Sequence, residues 1–118
     1  MAKFLFVYRH GVNQMNHQPS PEEMQAVMAQ WGEWFQTMGT AVVDGGDGLL
    51  PTGRQVAASG AVSDGPFIEA RELVGGFTII QADSYEGAVE YAQTCPVIAE
   101  GGTVEVRQLA GYGENVSD

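Results

Sequence analysis

The apolar positions near the N-terminus form a continuous run without polar alternation. The run Phe-Leu-Phe-Val-Tyr is typical of a β-strand that is covered on both faces. Successive side chains of a strand point to opposite faces. One face would carry Phe4, Phe6 and Tyr8, and the other Leu5 and Val7. We therefore predict a sheet that needs apolar cover on both of its sides.

A helical period follows the polar stretch after this strand. Ser20, Pro21 and Glu23 form a capping box with proline at the first helical position. Apolar residues then recur at spacings of three and four along one helix face: Met24, Val27, Met28, Trp31, Phe35 and Met38. Gly39 is predicted to end this helix. Gly32 costs about 1 kcal/mol relative to alanine within a helix, which suggests the close approach of another backbone.

The glycine-rich middle of the chain is predicted to form an irregular hairpin. A short strand at 41–43 and a connection at 44–53 precede a weak strand near 55–59. This connection lacks the Gly-Lys-Ser/Thr ending of a phosphate loop. Asp44 and Asp47 do not have the spacing of a calcium-binding EF-hand. The segment is therefore interpreted as a turn.

The second half of the chain repeats the order of strand, helix and strand. A strand at 76–82 leads to a helix with Asp83 as N-cap and Glu86 three residues later. Pro96 is predicted to close this helix, and a last strand follows at 103–109. The complete order is that of an α+β, ferredoxin-like βαββαβ domain in which both helices cover one face of an antiparallel sheet.

Length and composition suit one domain. The chain has 118 residues, of which 44% are hydrophobic, and we predict a domain over residues 1–112 followed by a frayed tail at 113–118. Helices on one face leave the second face of the sheet uncovered. We therefore predict a homodimer in which two sheets pack face to face.

Charge and cysteine content exclude several classes of partner. The formal net charge of −10 repels a phosphate backbone, so nucleic acid is not expected as a direct partner. Cys95 is the single cysteine and forms no internal disulfide, which fits a cytoplasmic location. The N-terminal apolar run is too short to span a membrane. The residues show no zinc-type spacing, and we predict neither a metal nor a cofactor.

Four stretches of the sequence resemble the DGPF subgroup of the YCII-related family. They are SPEEMQAVMAQWGEWFQTMG, DGPF with the following GGF, ADSYEGAVEYAQTCPV and GGTVEVRQL, in the family's order. This resemblance implies a ferredoxin-like subunit of a dimeric α+β barrel. It also implies acid/base chemistry by a histidine in the first helix and an aspartate after the first strand, and one branch of the family is a dehydrochlorinase. The matching positions here are Met28 and the Arg9-His10-Gly11 end of the strand, so that dyad is absent.

His10 and Asp64 are the predicted catalytic residues. A histidine at the end of a buried strand, with Asp44 or Asp64 beside it, would form a proton-transfer pair near neutral pH. The alternative is a loop histidine in solvent. His17 is interpreted as a solvated loop residue.

The predicted ligand-binding residues combine cations, a carboxylate and an aromatic wall. They are Arg9, Trp34, Asp44 and Arg71. Arginines at strand ends or in loops are suited to bind an anionic ligand, and Arg54 has a similar position. Alternatively, each arginine pairs with a local carboxylate. Trp34 is interpreted as a partly open pocket wall, with a core position as the alternative.

Two functional hypotheses remain open at this point. In the first, the protein binds a small organic molecule, anionic in one version, as an enzyme or a vestigial enzyme with His10 as base. In the second, it is a non-catalytic protein-interaction or regulatory module without a ligand. No substrate or reaction is predicted.

Overall fold

The computed structural model describes residues 1–11, 20–50, 52–64 and 72–115. Within these ranges the regular elements are β1 (Ala2–Gly11), α1 (Pro21–Met38), β2 (Val42–Gly48), β3 (Arg54–Val56), β4 (Val62–Asp64), β5 (Glu72–Ala82), α2 (Tyr85–Gln93), α3 (Pro96–Ala99) and β6 (Thr103–Gln108). Short 3₁₀ turns follow α1 at Gly39–Ala41 and β6 at Tyr112–Asn115. The last residues of the predicted tail, 116–118, lie outside the described part.

Four of the strands form one antiparallel sheet. The strand order is β2-β5-β1-β6, and each neighbouring pair is antiparallel. The two central strands, β1 and β5, are far apart in the chain. This order, with helices between the paired strands, is that of the ferredoxin-like fold, and the predicted α+β class is confirmed.

The core lies between the sheet and the helices. Alternate residues of β1 and β5 point into it, as the period of two in a strand requires. The buried apolar side chains are Phe4, Phe6, Tyr8, Trp34, Met38, Ile80, Ala82, Ala88, Ala92, Cys95 and Val97. Thr78 is the buried polar residue among them.

The ends of α1 agree with the sequence, but its buried face differs. The Ser20 hydroxyl accepts a hydrogen bond from the Glu23 backbone N–H at 3.1 Å, which confirms the predicted cap. Trp34 is buried, whereas Met24 and Met28 are exposed, so the predicted apolar stripe is wrong in the first half of the helix. Burial is confined to the last turns, where the helix lies over the sheet.

Gly32 has open space around it within the subunit. A Cβ placed there would meet nothing within 4 Å. The close backbone approach predicted at this position is therefore wrong for the single chain.

The glycine-rich segment pairs differently from the prediction. β2 extends to Gly48 and pairs with β5 through two irregularities in register, while β3 pairs with β4 in a separate two-stranded hairpin. The predicted pairing of 41–43 with 55–59 is therefore wrong. The extension of β2 depends on glycine: Gly46 has a φ of +69°, and a Cβ there would overlap the Phe77 carbonyl.

The second helical region is divided in two. Ser84, rather than the predicted Asp83, caps α2, because its hydroxyl accepts a hydrogen bond from the Gly87 N–H at 3.2 Å. Pro96 begins α3 as well as following the end of α2. Cys95 therefore lies between two helices and is buried.

Candidate functional site

The side of the sheet that faces away from the helices carries an apolar centre, here called the open face. It consists of Leu5 and Val7 on β1 with their register partners Ile79 and Phe77 on β5. All four side chains are half-buried. The prediction that β1 presents large apolar groups to both sides is confirmed.

Three charged residues lie beside this apolar centre. Glu105 is the register partner of Val7, and Arg107 is the register partner of Leu5. Arg9 donates to Glu105 Oε1 from Nε at 3.2 Å and from Nη2 at 3.1 Å. Arg107 Nη1 donates to Glu105 Oε2 at 3.2 Å. We refer to Arg9, Glu105 and Arg107 as the ion cluster.

The ion cluster keeps its carboxylate charged. The hydrogen bonds from Arg107, and next those from Arg9, hold the pKa of Glu105 below its usual range. Glu105 therefore acts as an acceptor and not as a proton donor near neutral pH. The cluster carries one more positive than negative charge, which distinguishes it from the rest of this acidic chain.

His10 lies at the end of β1 against a bulge. The register between β1 and β5 shifts after Tyr8, which leaves Gly75 without a partner in β1. A Cβ at Gly75 would lie 2.6 Å from His10 Cδ2 and 3.1 Å from Nε2. The imidazole therefore occupies the space that a side chain at position 75 would need.

His10 and Arg9 belong to different sides of the strand. By alternation along β1, Arg9 follows Val7 on the open face, and His10 follows Tyr8 on the helix side. His10 is half-buried there. A single small ligand would contact both residues only by reaching around the end of the sheet.

The predicted aspartates have local partners. Asp44 Oδ1 accepts a hydrogen bond from the Gly46 N–H at 2.8 Å, and Asp64 Oδ1 lies 3.0 Å from Arg54 Nε in the β3–β4 hairpin. For Arg9 and Arg54, the alternative of pairing with a carboxylate is what the structure shows. Arg71 lies outside the described residues, as do the Gly65, Pro66 and Phe67 positions of the DGPF sequence.

Trp34 belongs to the core. Its side chain is only 4% exposed, and its Nε1 donates to the Tyr91 carbonyl at 3.0 Å and to Thr94 Oγ1 at 3.2 Å. The prediction of a partly open pocket wall is wrong for this subunit, because the indole packs over the Phe6 and Tyr8 rings. Trp31 is the more exposed of the two tryptophans.

A buried hydrogen-bonded chain crosses the sheet and was not predicted. Tyr8 Oη donates to Thr78 Oγ1 at 2.6 Å, and Thr78 Oγ1 donates to the Gly45 carbonyl at 3.0 Å. Burial raises the pKa of Tyr8 far above its usual value, so the phenol stays protonated. The available sequence signal was a single threonine inside the otherwise apolar Phe77–Ile80 stretch.

Cys95 has no nucleophilic character. Burial raises the pKa of its thiol to about 12, and the reactive thiolate is therefore not formed near neutral pH. The conclusion drawn from the sequence agrees, although the reason is burial rather than the end of a helix.

Neither a metal-binding cluster nor a membrane-spanning helix occurs in the described part of the chain. Within it, no group of three or more histidine, cysteine, aspartate or glutamate side chains is arranged to hold a metal ion. No helix among these residues combines the length and apolar character that crossing a bilayer requires.

The family model of the YCII-related domain matches residues 5–110. The chain belongs to the YCII-related family. The matched region includes the open face, the ion cluster and the β3–β4 hairpin, so the whole site lies within the family domain. No curated protein matches the chain. Membership in the family therefore supports the fold and does not assign a reaction.

Proposed function

We propose that this YCII-related protein is a homodimer that binds a small organic molecule between two open faces. The observation that carries the proposal is the position of the apolar centre and the ion cluster on the same side of the sheet. An apolar surface with a few convergent polar groups is the usual composition of a small-molecule site.

The dimer follows from the apolar centre. In a single chain Leu5, Val7, Phe77 and Ile79 remain in partial contact with water. Packing against a second sheet removes this area from water at about 25 cal/mol per Å². A two-fold axis brings the same patch of each subunit together, so the open face of each subunit covers the open face of the other.

The ion cluster indicates the chemistry of the ligand. Arg9 and Arg107 share one carboxylate, and the Arg107 side chain is 70% exposed, which leaves guanidinium donors free to face a ligand. A carboxylate or a similar anionic group would be held by such a fork. Catalytic roles for His10 and Asp64 remain predictions, and the experiment below tests the role of His10.

The proposal also includes a family subgroup and a cellular location. We place the chain in the DGPF subgroup because of its DGPF sequence, which begins at Asp64. We place it in the cytoplasm because of its single cysteine.

The experiment combines light scattering with a thermal-shift screen of small organic acids and their neutral analogues. A ligand that binds the folded state raises the Tm by mass action. We expect a dimer, and a shift that Arg9→Gln abolishes while the control Glu33→Gln, at an exposed position of α1, preserves it. A shift that His10→Ala also abolishes would support a role for His10 at the ligand.

Two results would contradict the proposal. A monomer at micromolar concentration would remove the site, because the ligand would have only one wall. A dimer in which no compound raises the Tm would favour the alternative of a protein-interaction or regulatory module.

A further inference from the structure

The β3–β4 hairpin has few contacts with the other described elements of the chain. All six residues of its strands are exposed, and apart from each other these strands make at most marginal contact with any described element. We call residues 49, 50 and 52–64 the hairpin arm. An isolated two-stranded hairpin is only marginally stable in water, so the arm requires a surface to pack on.

The arm carries the apolar side chains that such packing needs. Val56 and Val62 are directly paired across the hairpin and are 67% and 61% exposed. Leu50 at the root of the arm is 79% exposed. The side of the hairpin that carries Val56 and Val62 also carries the Arg54–Asp64 pair, and exposed apolar side chains bordered by polar groups are a mark of an interaction surface. We infer that the hairpin arm packs on a second copy of this chain and extends the interface of the dimer.

The area of the open face supports this inference, which rests on the proposed dimer. The four strands contain 10, 7, 11 and 6 residues, and with a spacing of about 4.8 Å and a rise of about 3.3 Å per residue they cover roughly 540 Å² of flat surface. A stable interface buries about 800 Å² per partner. The flat extent of the open face is smaller than that area, and the exposed arm adds a further surface.

The arm also leaves the sheet in a suitable place. β1 and β2 both run antiparallel to β5, so they end at the same edge, and the arm begins there after Gly48. The Leu49 N–H donates to the Gly75 carbonyl at 2.8 Å, which fixes the root of the arm at the bulge beside His10. The radius of gyration is 16.0 Å, compared with about 13–14 Å for a compact domain of this length. The root of the arm therefore lies next to Phe77, at one end of the open face.

Charge favours a second copy as the partner. Residues 52–64 contain one cation and one carboxylate, Arg54 and Asp64, and these pair with each other. The arm is thus neutral, whereas the whole chain has a net charge of −10. A neutral apolar arm approaches another acidic subunit without the repulsion that most of the surface would meet.

The first test is a pair of matched double variants in the full chain. Val56→Lys with Val62→Glu places an opposite-charge pair on the apolar side of the arm. Gln55→Lys with Ser63→Glu places the same pair on the other side of the same ladder, because these residues are also directly paired. We expect the dimer Kd, measured by sedimentation equilibrium, to rise at least tenfold in the first variant and less than twofold in the control. Equal Kd values for the first variant and the unchanged protein would overturn the inference.

The second test does not depend on weakening the dimer. A photo-crosslinking residue in place of Val62 is introduced into a mixture of isotopically light and heavy chains. Links between light and heavy chains are expected, and links only within one chain would overturn the inference. The two proposals fail differently: a monomeric unchanged protein contradicts the proposed function, whereas a dimer without links from position 62 contradicts only the role of the arm.

Discussion

The two faces of the central sheet are built from alternate residues of the same strands, yet they are completed in different ways. On the helix side, Phe6, Thr78 and Ile80 are fully buried within the subunit. On the open face, their sequence neighbours Val7 and Ile79 are only half-buried. The helix side therefore stabilises the single chain, and the open face has apolar area left for assembly.

The polar groups of the two faces also differ, because those on the helix side are neutral and bonded within the subunit, whereas those on the open face are charged and partly exposed. On the helix side, the Tyr8 and Thr78 hydroxyls form a chain that ends on a backbone carbonyl, and no charge is buried there among the described residues. On the open face, Arg9 and Glu105 keep their charges and stay partly exposed. The helix side thus resembles a finished core, whereas the open face combines apolar area with groups that remain able to bind a ligand.

The largest expected effect comes from comparing neighbours in β1. Phe6→Ala removes a fully buried ring and should lower the free energy of unfolding by about 3–5 kcal/mol. Val7→Ala should cost less than about 1 kcal/mol in dilute solution, and more as the protein concentration rises into the dimer range. Urea unfolding at two protein concentrations measures both. Equal losses for the two variants at every concentration would remove the difference between the faces.

Thr78→Val tests the polar chain of the helix side. The isosteric change leaves the Tyr8 hydroxyl and the Gly45 carbonyl without their buried partner, and we expect a loss of about 2 kcal/mol. Gln81→Ala, on the opposite side of the same strand, serves as a control with an expected loss below about 1 kcal/mol. If Thr78→Val left the free energy of unfolding unchanged, the hydrogen bonds between Tyr8, Thr78 and Gly45 would contribute nothing to stability.

The pH dependence should separate the two faces. The pKa of Cys95 is raised to about 12 in the folded state, against about 8.5 when unfolded. The contribution of the protonated thiol to the free energy of unfolding is therefore complete below about pH 8.5 and is lost as the pH rises toward 12. We expect about 2 kcal/mol of stability to disappear between pH 8 and pH 10, and Cys95→Ala to flatten this slope. If Cys95→Ala lost stability with rising pH as steeply as the unchanged protein, the buried thiol would not be the cause of the pH dependence.

The open face should respond to acid instead. The pKa of Glu105 is lowered by Arg107 and Arg9, so its contribution is present above the unfolded value of about 4.3 and is lost as the pH falls. Glu105→Gln should reduce the loss of stability on acidification. Thermal unfolding between pH 6 and pH 3 measures this loss. A variant whose Tm falls with pH as steeply as that of the unchanged protein would contradict the role of Glu105.

The smallest expected effect lies away from both faces. Gly32→Ala fills open space within α1 and should raise the free energy of unfolding by about 0.5–1 kcal/mol, because alanine restricts the unfolded chain and favours the helix. Denaturant unfolding measures it. A clear destabilisation would mean that another backbone approaches α1 at this position.

Much of the fold could be predicted because its signals are local. These signals are the apolar run around Phe6, the Ser20 cap and the position of Gly39. Each depends on neighbours within a few residues. The candidate site was predicted less well. Arg9 was identified as a cation without its partner, and Trp34 was assigned to the wrong environment, since neither feature is determined by nearby sequence.

By itself, the sequence determined the order of the six core elements, the α+β class and the presence of apolar groups on both sides of β1. Only the tertiary structure decided which distant residues meet. Arg9 and Glu105 are 96 positions apart, and Tyr8 and Thr78 are 70 positions apart. The bulge that places His10 on Gly75 likewise depends on how β1 and β5 pair. Periodicity is a property of one segment, whereas strand register and bulges are set by the pairing of whole strands, which explains the difference.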